Sequence, residues 1–306
     1  MGHALAALII LATSLLAPPA PPGLILRYRP EVGQTAVYRV SVEMSGTQTL
    51  QDEPRTVNVR AELEVTEEVV SLEPEGSFWL RVTGRAVRIN DPTGTFGAGQ
   101  HGEWPAVAVR MSPLGVVMET RPDPEAGHLG PLQRAFAASM LHPAPVVLPT
   151  QAVKVGDRWQ WEQDGARQSN RLVSVTQADR PVAGIRGGVR PQESGEPSGA
   201  AEGQLRCLLA SSGREPVRLE EATPALGLTT RVSGEMSQRS EVDLLLPSCL
   251  VALHRGEMRL ETQGESTLEL PEGPKAFALR SDLRMRFDIR LVALSSKTVP
   301  ARPEGG

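Results

Sequence analysis

Residues 276–294 read AFALRSDLRMRFDIRLVAL. Phe277, Leu279, Leu283, Met285, Phe287, Ile289 and Leu291 occupy alternate positions. Arg280, Asp282, Arg284, Arg286, Asp288 and Arg290 fill the positions between them. A helix would scatter these two sets around its axis, whereas a strand sends them to opposite faces. The segment is therefore a long strand, greasy on one side and charged on the other. Such a strand belongs to an antiparallel sheet wetted on one face.

The same period recurs along the chain. In residues 55–68, Val57, Val59, Ala61, Leu63 and Val65 alternate with Asn58, Arg60, Glu62, Glu64 and Thr66. The sequence EPEG (73–76) then signals a type I turn, and Phe78, Leu80, Val82 and Ala86 continue on the return strand. Over 228–246, even positions carry Leu228, Thr230, Val232, Gly234, Met236, Val242, Leu244 and Leu246. Met258, Leu260, Leu268 and Leu270 follow the same parity before the PEGP turn at 271–274. Strands of this length must coil, bulge or close, and Gly84, Gly234, Gly256 and Gly264 are the natural places to do so. The expected fold is mainly β: long antiparallel strands in curved or half-barrel-like sheets, with one short helix between two β units.

Two segments open alike. RPEVGQTAVYRV (29–40) and AVKVGDRWQWEQ (152–163) align without a gap, placing Val32-Gly33 on Val155-Gly156 and Tyr38 on Trp161. Each reads as a glycine turn into an alternating strand. This divides the chain into a first β unit at 24–128 and a second at 149–294. Between them, 129–148 is a connecting helix and linker, with Leu129, Leu132, Phe136 and Met140 at helical spacing and Pro143 ending the run. Residues 178–203 are rich in Gly and Pro and read as a flexible insertion. Residues 295–306 read as a disordered tail.

The order LRYRPEVGQTAVYRV (26–40), a long hairpin, MSPLGVVMETR (111–121), a short helix, LPTQAVKVGDRWQWE (148–162) and long alternating strands resembles a loose group of secreted bacterial β-rich proteins of unknown function. The resemblance implies export and a shared architecture, and carries over no site residues. The long alternating strands alone are also similar, at the level of fold, to the curved half-barrel sheets of periplasmic lipoprotein carriers.

Residues 4–17 are apolar and uncharged, too short to span a bilayer and of the length of a signal-peptide core. A proline-rich stretch follows, so 1–23 reads as a signal peptide or N-terminal anchor with its linker. The protein is expected to be extracytoplasmic: periplasmic, secreted or membrane-tethered. If the N-terminus is not cleaved, it is the one expected membrane contact. Of the 306 residues, 40% are hydrophobic and 22% charged, with a net charge of −4. That balance argues against nucleic acid as a partner. Lysine is confined to Lys154, Lys275 and Lys297, so arginine supplies nearly all of the 32 basic residues.

Chemistry-bearing motifs are few. Gly97-Ala98-Gly99-Gln100-His101-Gly102 has the spacing of a phosphate loop, but a strand follows where a helix is needed, so it reads as a loop. His3, His101, His128, His142 and His254 show no metal spacing. Glu67-Glu68 and Glu220-Glu221 would point to opposite faces and make poor carboxylate dyads. No catalytic residue, metal or cofactor is expected. Cys207 and Cys249 are compatible with a disulfide, and equally with free core thiols. The charged ladder 280–290 would form cross-strand ion pairs that keep its face soluble, or would meet an anionic surface.

These readings lead to an exported, non-catalytic protein holding an apolar or lipid-like ligand on a concave sheet face. Met236, Met258, Leu260, Met285 and Phe287 are the candidate ligand-binding residues, because methionine suits adaptable apolar surfaces. The bland alternative is that all five pack a core. An envelope scaffold that binds another envelope protein is the second functional reading. A hydrolase built around His101 is the third.

Overall fold

The computed structural model describes residues 23–50, 53–92, 103–122, 146–177, 205–223, 227–246 and 248–296. The first β unit contributes β1 (Gln34–Leu50), β2 (Glu53–Leu72), β3 (Phe78–Asn90), β4 (Glu103–Met111) and β5 (Val117–Pro122). The second contributes β6 (Arg158–Gln163), β7 (Ala166–Gln177), β8 (Leu205–Thr223), β9 (Leu228–Leu245), β10 (Leu250–Leu270) and β11 (Gly273–Ser296). All eleven lie in one antiparallel sheet, ordered β5-β4-β3-β2-β1-β11-β10-β9-β8-β7-β6. Each unit is thus a meander. The first strand of the chain pairs with the last and fuses the two, from Gln34↔Ser296 to Leu50↔Leu279. The sheet ends at β5 and β6, which do not pair, so it is an open sheet and not a barrel.

The alternation found in the sequence sorts the two faces. Leu172, Leu209, Val242, His254, Ile289, Val40 and Leu63 are successive cross-strand neighbours running from β7 to β2. None of them exposes more than 5% of its surface. The facing side of the sheet carries the charges. The two aligned turns are equivalent: Gly33 (φ 80°) and Gly156 (φ 97°) both adopt the left-handed backbone that only glycine takes freely. Their N–H groups donate to the Val69 and Leu172 carbonyls of the adjoining strands.

Pro216 sits inside β8, where a proline would normally break a ladder. It is tolerated because β7 pairs with β8 only as far as Arg167↔Arg214, leaving Pro216 with a partner on the β9 side alone.

One end of the apolar face is capped by segments outside the sheet. Leu24 and Val153 exchange both backbone hydrogen bonds, the Leu148 N–H donates to the Leu114 carbonyl, and the Tyr28 N–H donates to that of Pro113. The Arg27 guanidinium clamps the Pro149 and Thr150 carbonyls at 2.6 and 2.8 Å. This strap buries Leu26, Val146 and Leu148 against Leu172, Cys207, Leu209, Val242 and Leu244. Its backbone polar groups need partners away from water. The Val147 N–H donates to Gln168 Oε1 at 2.8 Å, while Trp159 Nε1 and Asn170 Nδ2 donate to the Val147 carbonyl at 2.7 and 3.1 Å.

Among the described residues there is no helix; residues 146–148 of the expected helix-and-linker segment are non-helical strap. The expected helix around 129–141, the insertion at 178–203, the glycine loop with His101, and the N-terminal apolar run at 4–17 lie outside the described residues. So do residues 297–306 of the expected tail; its first two residues, Ser295 and Ser296, instead complete β11.

Two substitutions probe this arrangement. A Cβ at Gly264 would overlap the Arg231 carbonyl oxygen of the neighbouring strand. Gly264→Ala should therefore cost about 1–3 kcal/mol, read as a lower denaturant midpoint. Asn170→Leu strands the Val147 carbonyl of one donor and removes the amide beside it. A loss of about 1–3 kcal/mol is expected, whereas a neutral result would mean that the strap does not depend on this bond.

Candidate functional site

Beyond the strap, the same apolar face continues over β9, β10 and β11 with no covering segment among the described residues. Met236 stands opposite Leu260, Leu260 opposite Leu283, and Met258 opposite Met285. Met285 also faces Met44 of β1, and Phe287 lies across from Gly256. The five residues singled out in the sequence therefore fall in one patch on one face. All five are half-buried, in contrast to the fully buried row at the capped end. Val57 and Val59 border the patch from β2 and pack with Met44, Leu283 and Met285. The Phe287 ring meets His254 edge-on, with centroids 4.9 Å apart, so His254 is part of the floor.

The capped end holds polar groups that the alternation did not reveal. Glu67 is buried on the apolar face and, with Tyr28, Tyr38 and Ser248, lines a cavity of about 60 Å³. Burial, followed by the Glu67 charge, pushes the Tyr38 hydroxyl well above its ordinary value. Burial likewise raises Tyr28. Asn170, Ser211 and Ser240 form a buried polar row between the strap and the patch. The signal for it was present: Gln168 and Asn170 share the parity of Leu172, and Gln238 and Ser240 that of Val242. Polar residues on an apolar parity mark places where something other than side chains must be satisfied.

Cys207 and Cys249 are free thiols, fully buried in one cluster with the strap. Burial pushes the Cys207 thiol up to about 12 and the Cys249 thiol up to about 11. A thiol in that state is a poor nucleophile. Among the described residues, no group of three or more His, Cys, Asp or Glu could hold a metal ion. His101, His128 and His142 lie outside the described residues.

The opposite face is charged. Ion pairs join neighbouring strands, among them Arg255–Glu241 at 2.6 Å, Arg286–Glu257 at 2.9 Å and Arg259–Asp282 at 2.9 Å. Two of these use ladder residues as expected, while Asp288 pairs with Arg290 of its own strand. A groove of about 1070 Å³ crosses β6 to β11, lined by outward-facing residues of two adjacent rows and by Trp159, Asn170, Ser211, Ser240, Gly256 and Phe287 of the row between them. A second, of about 910 Å³, continues it and shares Ser212, Arg239 and Arg286.

No family model matches the chain, and no curated protein matches it in sequence. Among solved structures, a lipovitellin structure described by its lipid–protein interactions is similar over 89% of this chain, at 9% identity and a TM-score of 0.43. The chain spans 26% of that protein. DynF from the dynemicin biosynthesis pathway of Micromonospora chersina is similar at 11% identity over 91% of this chain and 88% of its own, with a TM-score of 0.21. An outer membrane channel from Pseudomonas putida F1 is similar at 8% identity over 90% and 99%, with a TM-score of 0.22. Similarity at this level carries no functional argument. Among the described residues, no helix is long and apolar enough to cross a membrane, which says nothing of strands.

The buried thiols generate a prediction with a definite sign. Both folded values lie above the ordinary 9.0. Their contribution to stability is therefore complete below about pH 9 and is lost as pH rises toward 11–12. The unfolding midpoint should fall over that window, and fall less in the Cys207→Ala/Cys249→Ala double variant. Iodoacetamide at about pH 8 should label the unfolded chain and leave the native one unmodified.

Proposed function

We propose that the protein is exported and binds an apolar, lipid-like ligand on the uncapped half of its sheet. The observation that carries this reading is the unequal covering of one continuous apolar face. The strap covers Leu172, Leu209 and Val242, while the patch from Met236 to Phe287 has no covering segment among the described residues. Soluble proteins rarely leave a contiguous apolar surface without use. Four methionines lie there (Met44, Met236, Met258 and Met285), a composition suited to flexible acyl or isoprenoid chains of variable shape. The apolar run at residues 4–17 supports a location outside the cytoplasm. The role read for this patch is binding.

Mass spectrometry of lipids extracted from purified protein, with displacement of an environment-sensitive fluorescent fatty acid, tests the proposal. Placing a charge in the patch by Met258→Arg should weaken probe binding by about tenfold or more, since burying a methionine-sized group is worth about 1.5–3 kcal/mol. Met118→Arg, exposed on β5, should leave binding unchanged. Recovery of no lipid, with no probe binding, would overturn this reading. It would favour a scaffold that pairs through the open β5 and β6 edges.

A further inference from the structure

We infer a second site on the charged face: the groove across β6–β9 binds a compact polyanion carrying two or more phosphate or sulfate groups. Its arginines point to the opposite side of the sheet from the apolar patch.

The inference begins with register. Arg158 of β6 and Arg171 of β7 are direct cross-strand partners, an arrangement that places like charges opposite each other at an energetic cost. Arg167 and Arg214, Arg259 and Arg284, and Arg39 and Arg290 also stand opposite each other on this face, but in each of those pairs at least one arginine is held by a carboxylate: Arg167 by Glu162, Arg214 by Glu235, Arg259 by Asp282 and Arg290 by Asp288. Arg158, Arg171 and Arg239 line one groove, and no carboxylate ion-pairs with any of the three among the described residues. The carboxylates nearest in register are already engaged. Glu257, across from Arg239, is held by Arg286, and Glu241 is held by Arg255.

The ground between these arginines is low. Ser169, Ala210 and Ser212 are the outward residues there, cross-strand neighbours of Arg171 or Arg239 or one step removed. Small side chains leave room for a ligand where long ones would fill the groove, and the two hydroxyls can donate to anionic oxygens. Guanidinium forks suit phosphate and sulfate oxygens in particular. At about 4.8 Å per strand, Arg171 and Arg239 are separated by on the order of 10 Å. A single small anion cannot satisfy both ends. The recess, about 1070 Å³, has the size of a ligand site.

Titration calorimetry with tripolyphosphate, beside cosedimentation with phosphatidylglycerol and with pure phosphatidylcholine vesicles, tests this on the full chain. Tripolyphosphate binding identifies a soluble polyanion. Binding to phosphatidylglycerol vesicles alone identifies a lipid-borne headgroup. Either supports the site if the triple variant Arg158→Gln/Arg171→Gln/Arg239→Gln lowers affinity by about tenfold, the combined effect of three exposed charge contacts. The control Arg218→Gln/Arg280→Gln, on the same face but outside the groove, must bind like wild type. Thermal melts of both variants should match wild type, because all five side chains are exposed. Failure of both probes to bind, or equal losses in variant and control, overturns the site.

Discussion

The pairing of β1 with β11 is the constraint on which the remaining architecture rests. Each meander could form locally, hairpin by hairpin, with short turns such as Asp164-Gly165 and 271–274. Joining them requires the first strand to find the last across nearly the whole chain, so loop closure precedes any gain from contact. The gain is large when it comes. The junction places Tyr38, Val40 and Val42 beside Leu291, Ile289 and Phe287. It makes one apolar face out of two, with Leu245 and Ala252 of the second unit in the same cluster as Val65, Leu80 and Val109 of the first.

An open sheet with one apolar face has a problem that a barrel or sandwich does not: half of its greasy surface needs a cover. The chain supplies one from its own irregular segments, among the described residues at one end. Covering with irregular backbone brings polar groups into an apolar place, which accounts for Gln168, Asn170 and Trp159 Nε1 converging on Val147. The polar inner row is thus a consequence of the strap, and among the described residues the strap does not reach the methionine patch.

The sequence made the strands legible because alternation is a local signal and these strands are long enough to repeat it many times. The paired Val-Gly turns were legible for the same reason, and Gly33 and Gly156 do the same work at the sheet centre and at its edge. Membership of Met236, Met258, Leu260, Met285 and Phe287 in one patch followed from parity alone. The β1–β11 junction was not legible, since nothing within either strand names a partner more than two hundred residues away. The strap was equally hidden: Val146, Val147 and Leu148 have no periodicity, and their contacts are tertiary. Glu67 was read as one half of a doublet with opposite faces, which it is, but the parity that sends it inward among Val65 and Val69 was not followed through. Arg158 looked like an ordinary strand charge until register set it against Arg171.

That last case shows why the charged face reads differently from a merely soluble one. A face selected only for solubility would be expected to mix the two signs, and from β9 to β1 it does: like-charged neighbours such as Arg259 and Arg284 or Glu235 and Glu261 occur there, but among the ion pairs Arg255–Glu241, Arg286–Glu257 and Arg259–Asp282. Toward β6 the acids give way to Ser169, Ala210 and Ser212 while the arginines persist. The chain as a whole carries a net charge of −4, so a local surplus of positive charge is not inherited from its composition. Self-repulsion between Arg158 and Arg171 is weak in water, because both are exposed and screened. It could have been relieved by a single carboxylate at position 210 or 212, both of which point to the same side. Small residues there forgo that relief and keep the groove open.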